Sequence, residues 1–248
     1  MNDFPHLKNA PIVESVFDFR VSLPPDFTIE VLGAAGGRLP EGYGAAKAQR
    51  GWMGEITLAP EHSPQQTVHD LGVTGYAFHS SDGKYVAQFR RNGFSFSRLT
   101  PYSAWKDVFE KAIGFWRLYV EIAAPVEVTR LAVRTINRIA LLEGVSELGA
   151  YLTAPPSMPP GVPNCLLSFL SQNVVQDEET GVAANVIQTI EPADAEGKRA
   201  IILDCDVFLE RRFEPEDERL PEVFASLRKL KNVIFFNSLT PAMIDRYK

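Results

Sequence analysis

The segment IVESVFDFRV places apolar side chains at Val13, Phe17, Phe19 and Val21, with Glu14, Asp18 and Arg20 between them. Alternation with period two predicts a strand with one wet face. LPPDFTIEVLGAAGG then reads as a loop into a short helix that ends at glycines. GEITLAP and TVHDLGVTGYAFHS predict two further strands. Asp82-Gly83 and Asn92-Gly93 bracket KYVAQFRR and lead into FSFSRL, which predicts two hairpins with type I′ turns. Thr100 and Pro101 have the chemistry of a helix start, cap followed by first-turn proline. Trp105, Val108, Phe109, Ala112, Trp116 and Tyr119 then recur at spacings of three and four, the signature of an amphipathic helix that ends before Pro125.

A similar order follows. VTRLAVRTINRIALL predicts a strand, ELGAYL a short helix, and TAPPSMPPGVPN a Pro-rich loop spanning residues 155–163. CLLSFLSQNVVQ, VAANVIQTIEP and AIILDCDVFLE predict three strands, and the acidic linker EPEDERLP leads into helix PEVFASLRKL. Val233 to Phe236 form an apolar block, and Thr240-Pro241 starts a last helical turn. One constant offset relates Ile12 to Val128, Tyr85 to Ile201 and Trp105 to Pro221. The expectation is an α+β fold: a mostly antiparallel sheet with long helices on one face, made of two duplicated halves, residues 1–124 and 125–248, packed as one unit.

Arg130, Arg134 and Arg138 stand four residues apart, a spacing that keeps them on one side of a helix or a strand. Val128, Thr129, Val133, Thr135, Ile136 and Ile139 are β-branched, which decides for a strand. AIILDCDVFLE offers a complement, because Asp204, Asp206 and Glu210 share its polar face. Three readings follow. The charges form a cross-strand ladder. Or the arginine face, with Asn137 and Glu14, binds an anionic ligand or partner. Or Asp204 and Asp206, two carboxylates at i and i+2, hold Mg²⁺ beside an arginine clamp for phosphate chemistry.

Bulk properties narrow the rest. The 248 residues carry a net charge of −6, which argues against non-specific grip on nucleic acid. No apolar stretch approaches the length of a membrane span, and MNDFPHLKNAP does not read as a signal peptide. The two cysteines, Cys165 and Cys205, sit in apolar runs and read as buried, reduced thiols of a cytoplasmic protein. His6, His62, His69 and His79 form no metal-ligand spacing, and no nucleophile elbow, phosphate loop or dinucleotide fingerprint occurs. Arg90, Arg91 and Arg98 interleave with Phe94 and Phe96, a secondary candidate for a nucleic-acid or anionic contact.

Four motifs occur in order along the chain: Ala10-Pro11-Ile12 with Glu14; Arg130 and Arg134 with Asn137-Arg138-Ile139; Ile202-Leu203-Asp204 with Asp206; and Phe235-Phe236 with Leu239-Thr240. In these the chain resembles a family of sporadically distributed, uncharacterised bacterial proteins of about this length. The resemblance spans the whole chain and implies no activity, cofactor or catalytic residue. The leading expectation is a cytoplasmic, non-catalytic binding or accessory protein whose arginine face takes an anionic small molecule or a protein partner. The alternatives are a metal-assisted enzyme using Asp204 and Asp206, and a structural oligomer, with a homodimer as its simplest form, whose sheet edges pair between chains.

Overall fold

A computed structural model describes residues 4–57, 65–142, 147–163 and 166–248. Nine strands form one sheet: β1 (Ile12–Ser22), β2 (Lys47–Thr57), β3 (Gln65–His79), β4 (Tyr85–Arg90), β5 (Gly93–Leu99), β6 (Glu127–Ala140), β7 (Leu170–Gln176), β8 (Ala183–Ile190) and β9 (Ala200–Phe213). Their order is β2-β3-β4-β5-β1-β6-β9-β8-β7, and every pairing is antiparallel. The helices are α1 (Glu30–Gly33), α2 (Trp105–Ala123), α3 (Leu220–Ser238) and α4 (Pro241–Asp245), with single 3₁₀ turns at Ala34–Arg38 and Leu148–Ala150.

The expected α+β class is corrected by this inventory. The molecule is mostly a nine-stranded antiparallel sheet, helix is its minor component, and two of the four α-helices are five residues or shorter. The duplication is corrected with it. The first half contributes five strands and the second four, and the short helix expected at ELGAYL is a single 3₁₀ turn. Strand residues outnumber helical ones, and the β1–β6 pair joins the two halves into one sheet, with register shifts only at its ends, between Ile12 and Glu14 and between Arg20 and Val21.

Smaller expectations shift too. The helix expected at Thr100-Pro101 begins at Trp105; Thr100-Pro101 is a cis peptide, and Ala104 is the N-cap. The helix expected over PEVFASLRKL continues through the apolar block to Ser238. β2 starts at Lys47, well before GEIT, and β7 starts only at Leu170. Cys165 and His62 lie outside the described residues. Neither hairpin has the expected type I′ turn, because Asp82 and Asn92 keep negative φ. In the second, Arg91 and Asn92 are the central pair and Gly93 begins β5 at φ 145°. A Cβ on Gly93 would stand 1.9 Å from the Phe19 carbonyl oxygen, so β1 approaches there as only glycine allows.

The strand alternation sorts the sheet into two faces. Phe17, Phe19, Phe94, Phe96, Leu131 and Val133 are fully buried on the covered face. Each such side chain contributes roughly 1.5–3 kcal/mol of transfer free energy. The rings of Phe17 and Phe19 lie against Trp105 and Trp116 of α2 and against Phe224 of α3. Two polar anchors fix α2: Trp116 Nε1 donates to Pro215 O at 3.0 Å, and the Tyr119 hydroxyl donates to Arg90 O at 2.9 Å. A second cluster gathers Ile139, Ile201, Leu203 and Cys205 under Leu239, Met243 and Ile244. There Thr240 caps α4 as expected, accepting from Met243 N.

Candidate functional site

The open face of the sheet answers what the three arginines meet. Arg134 pairs directly across from Asp206, yet its Nε and Nη2 donate to the two carboxylate oxygens of Asp204, at 2.8 and 2.5 Å. This is a bidentate fork on the diagonal neighbour, the stronger geometry for a guanidinium and a carboxylate. Asp204 raises the Arg134 pKa above its usual value, chiefly through that hydrogen bond, against the opposing effect of burial; Asp206 and Glu14 add to the field. Arg130 reaches further. Its guanidinium lies 4.4 Å from the Phe208 ring centroid, and its Nη2 donates to Asp206 at 2.7 Å. Its Nη1 meets Asp18 at 3.5 Å, and Asp18 also accepts from Arg20 at 2.9 Å and from Arg90 at 2.5 Å. Arg138 donates to Glu191 at 2.7 Å.

All three arginines therefore sit on the open face with Glu14, Asp204 and Asp206, and each is already matched by a carboxylate of this chain. The arrangement is the charge ladder. Asp204 and Asp206 point to one side, as i and i+2 require, but Arg134 takes both oxygens of Asp204 and Arg130 takes one of Asp206. Among the described residues no group of three or more His, Cys, Asp or Glu side chains converges to hold a metal ion.

Asn137 is placed elsewhere. It lies on the covered face, 1% exposed, where its Nδ2 donates to Leu203 O at 3.0 Å. Its Oδ1 is buried and accepts no hydrogen bond among the described residues. Asn137 is one of the residues lining a cavity of about 310 Å³ at the start of α2. The floor is Thr135 and Asn137 of β6; one wall is the 102–106 stretch; the other is α3 through Arg228, Lys231 and Phe235. The N-terminal segment closes it, with Phe4 stacked on Phe236 at 4.7 Å between centroids and Asn9 N donating to Tyr247 O. The Ser103 hydroxyl in the wall is also buried with no partner among the described residues.

The electrostatics of this cavity oppose those of the whole protein. The chain is net negative, yet among the described residues no Asp or Glu lines the cavity, while Lys106, Arg228 and Lys231 do. Lys106 has Glu110 at 3.8 Å. Arg228 makes no ion pair among the described residues; its guanidinium sits 5.1 Å from the Trp105 ring centroid. Lys231 is half-buried, and burial pushes its amine down to about 8, with the Arg228 charge acting in the same direction and Cys205 against it. Tyr102 in the wall is pushed up to about 12 by burial.

Lys231, Arg228 and Ser103 are the residues that sequence reasoning missed. A signal for Lys231 exists. The buried stripe of α3 runs Leu220, Phe224, Leu227, then Phe235, and Lys231 fills the position where the stripe calls for a hydrophobe. The signal is invisible when the helix is stopped at Leu230. The interleaved Arg90, Arg91 and Arg98 also resolve: Arg90 pairs with Asp18, Arg98 donates to Pro101 O at 2.7 Å and stacks on Tyr85, and Arg91 lies over Phe27.

No family model and no curated protein matches this chain. Among the described residues no helix is long and apolar enough to cross a membrane.

Proposed function

We propose that this protein is a non-catalytic binding module for a small anionic molecule with an apolar body, held in the cavity over Thr135 and Asn137. The observation that carries this is the pairing of charges. The open-face arginines each have a carboxylate of the same chain, whereas Arg228 and Lys231 line a cavity without one. Two cations brought together without a counter-charge favour an incoming anion, and partial burial strengthens the attraction. Trp105, Phe235 and Phe236 supply the apolar wall. The Asn137 oxygen takes a donor from the ligand or from a water that accompanies it. Concave, mostly apolar sites with a few convergent polar groups are the usual form of a small-molecule site.

The test is thermal shift against phenylacetate, phenyllactate and phenyl phosphate. Ligand at about 100 times its dissociation constant adds roughly 2.7 kcal/mol, a shift of several degrees for a chain of this size. The shift is expected to vanish in Arg228→Met and to persist in Arg134→Ala. The reverse result moves the binding site to the open face of the sheet.

A second reading rests on the sheet edges. Edge strand β7 exposes Leu170 and Val174, and edge strand β2 exposes Trp52 and Met53. Unblunted apolar edges favour pairing between chains, so a stable dimer in sedimentation velocity would support a structural role and a monomer would remove it.

A further inference from the structure

The binding reading leaves the amine of Lys231 without a task that an ordinary cation could not fill. Arg228 and Lys231 are three residues apart on α3, so they are neighbours on one helix face, both lining the same cavity. Arg228 brings a planar fork suited to a carboxylate. Lys231 brings a nucleophile that neither an arginine nor a histidine replaces. Its surroundings hold it in the neutral, nucleophilic form more than water would. It is half-buried, it has no carboxylate partner among the described residues, and a second cation stands beside it. Amines are activated for attack on carbonyls by these two means, desolvation and a neighbouring positive charge.

We propose that the cavity captures 2-oxo acids with an apolar side chain, Arg228 binding the carboxylate and Lys231 forming a reversible imine with the adjacent ketone. The chemistry is balanced within the pair. The lone pair of neutral Nζ adds to the carbonyl carbon, the C=O π electrons move to oxygen, and a proton passes from nitrogen to oxygen to give the carbinolamine. Loss of water then forms the C=N bond. Nothing is oxidised or reduced, and hydrolysis reverses the sequence. A 2-oxo acid fits because its ketone and carboxylate are on adjacent carbons, matched to two cations on successive turns. Its side chain then lies toward Trp105, Phe235 and Phe236. This inference rests on the anion-binding reading of the same cavity.

The ionisable groups that surround Lys231 come from every wall: Arg228 on its own helix, Cys205 beneath it on β9, and Lys106, Tyr102 and His6 around the cavity. None is a carboxylate, and Cys205, which favours the charged amine, is outweighed by burial.

The experiment is reductive trapping of the full chain with phenylpyruvate and cyanoborohydride, followed by peptide mapping, with phenyllactate in parallel as a ligand that has no ketone. Lys231 is expected to be alkylated about tenfold or more faster than the exposed Lys229 on the same helix, with a rate that climbs through pH 8. Lys231→Arg keeps the charge; it is expected to retain the thermal shift with phenyllactate and to lose the rapid alkylation. Alkylation spread evenly over surface lysines, or absent from Lys231, overturns the imine. If phenyllactate still shifts the midpoint in that case, anion binding stands and only the covalent step falls. If phenyllactate also fails, both fall.

Discussion

Replacing Lys231 with methionine should make the protein more stable, although it removes a residue from the proposed site. Burial holds the folded-state pKa of Lys231 near 8, against the 10.5 of an unhindered lysine. The full difference corresponds to roughly 3 kcal/mol of preference for the neutral form. Part of the side chain keeps contact with solvent, which discounts the figure to about 1–2 kcal/mol. At pH 7 the amine is mostly protonated in both states, so the folded protein bears this cost in full. Between pH 8 and 10.5 the unfolded chain holds a proton that the folded chain has released, so wild-type stability gains from Lys231 as pH rises through that window. Methionine, of similar length and without charge, removes the cost at every pH. The expected difference is a midpoint higher by about 2–8 °C at pH 7, shrinking toward zero by pH 10.5. Differential scanning fluorimetry of both proteins from pH 6.5 to 10.5 measures it. Tyr43, Tyr102 and Tyr119 are pushed up by burial and weaken folding in strong alkali, but they act equally on both chains and cancel in the comparison. A variant less stable than wild type at pH 7, or a difference that does not change with pH, refutes the claim that Lys231 is an uncompensated cation.

The sheet makes further predictions. Asp204→Ala strips Arg134 of its bidentate partner at a nearly buried carboxylate and should cost about 2–4 kcal/mol in urea unfolding, whereas Arg138→Ala, at a half-exposed pair, should cost less than about 1 kcal/mol. Equal costs at the two sites would show that burial does not grade the ladder. Gly93→Ala places a methyl against the Phe19 carbonyl and should abolish soluble expression or lower the midpoint by more than 10 °C, on the order of 3 kcal/mol or more; a variant with wild-type stability would mean that β1 and β5 part there at little cost. Cys205 is fully buried and its thiol is pushed up to about 12, so a maleimide should label it only after denaturation, as peptide mapping would read directly. Labelling of Cys205 in the native protein would show that the second core cluster opens.

Much of the sheet is legible because alternation is a local signal. Val13, Phe17, Phe19 and Val21 declare a face without reference to any other strand, and the Arg130, Arg134 and Arg138 series does the same. The ladder itself is half legible. Asp204 and Asp206 read as the complement of the arginines, but direct opposition would pair Arg134 with Asp206. The fork with Asp204 is a diagonal choice that depends on side-chain reach, which no strand pattern encodes. Misreadings concentrate where meaning is not local. Thr100-Pro101 has the residues of a helix start, yet the chain spends four more residues arriving over the sheet before α2 begins. Asp82-Gly83 and Asn92-Gly93 have the residues of one turn type and adopt others, because strand register sets each pair one position late: Ser81-Asp82 and Arg91-Asn92 are the central residues and each glycine closes its turn. Asn137 sits within the arginine series in sequence, and the pleat sends it through to the opposite side.

That separation is what assigns different work to the two sides of β6. On one side, Arg130, Arg134 and Arg138 consume carboxylates from β1, β9 and the chain after β8, and the field they generate is spent within the protein. On the other side, one residue away along the same strand, Asn137 carries a buried oxygen that finds no partner among the described residues, in a cavity whose lining holds Arg228 and Lys231 and no described carboxylate. Buried polar groups in native proteins are satisfied almost everywhere, and an exception asks for an explanation. Two of the five such atoms among the described residues, the Asn137 oxygen and the Ser103 hydroxyl, belong to residues of one cavity, beside an amine whose pKa burial lowers. A fold stabilised by the charges of these features would have given Arg228 and Lys231 carboxylates, as it gives them to Arg130, Arg134 and Arg138. Their retention together, at a cost to stability that Lys231→Met should measure, is what a site selected for a ligand looks like.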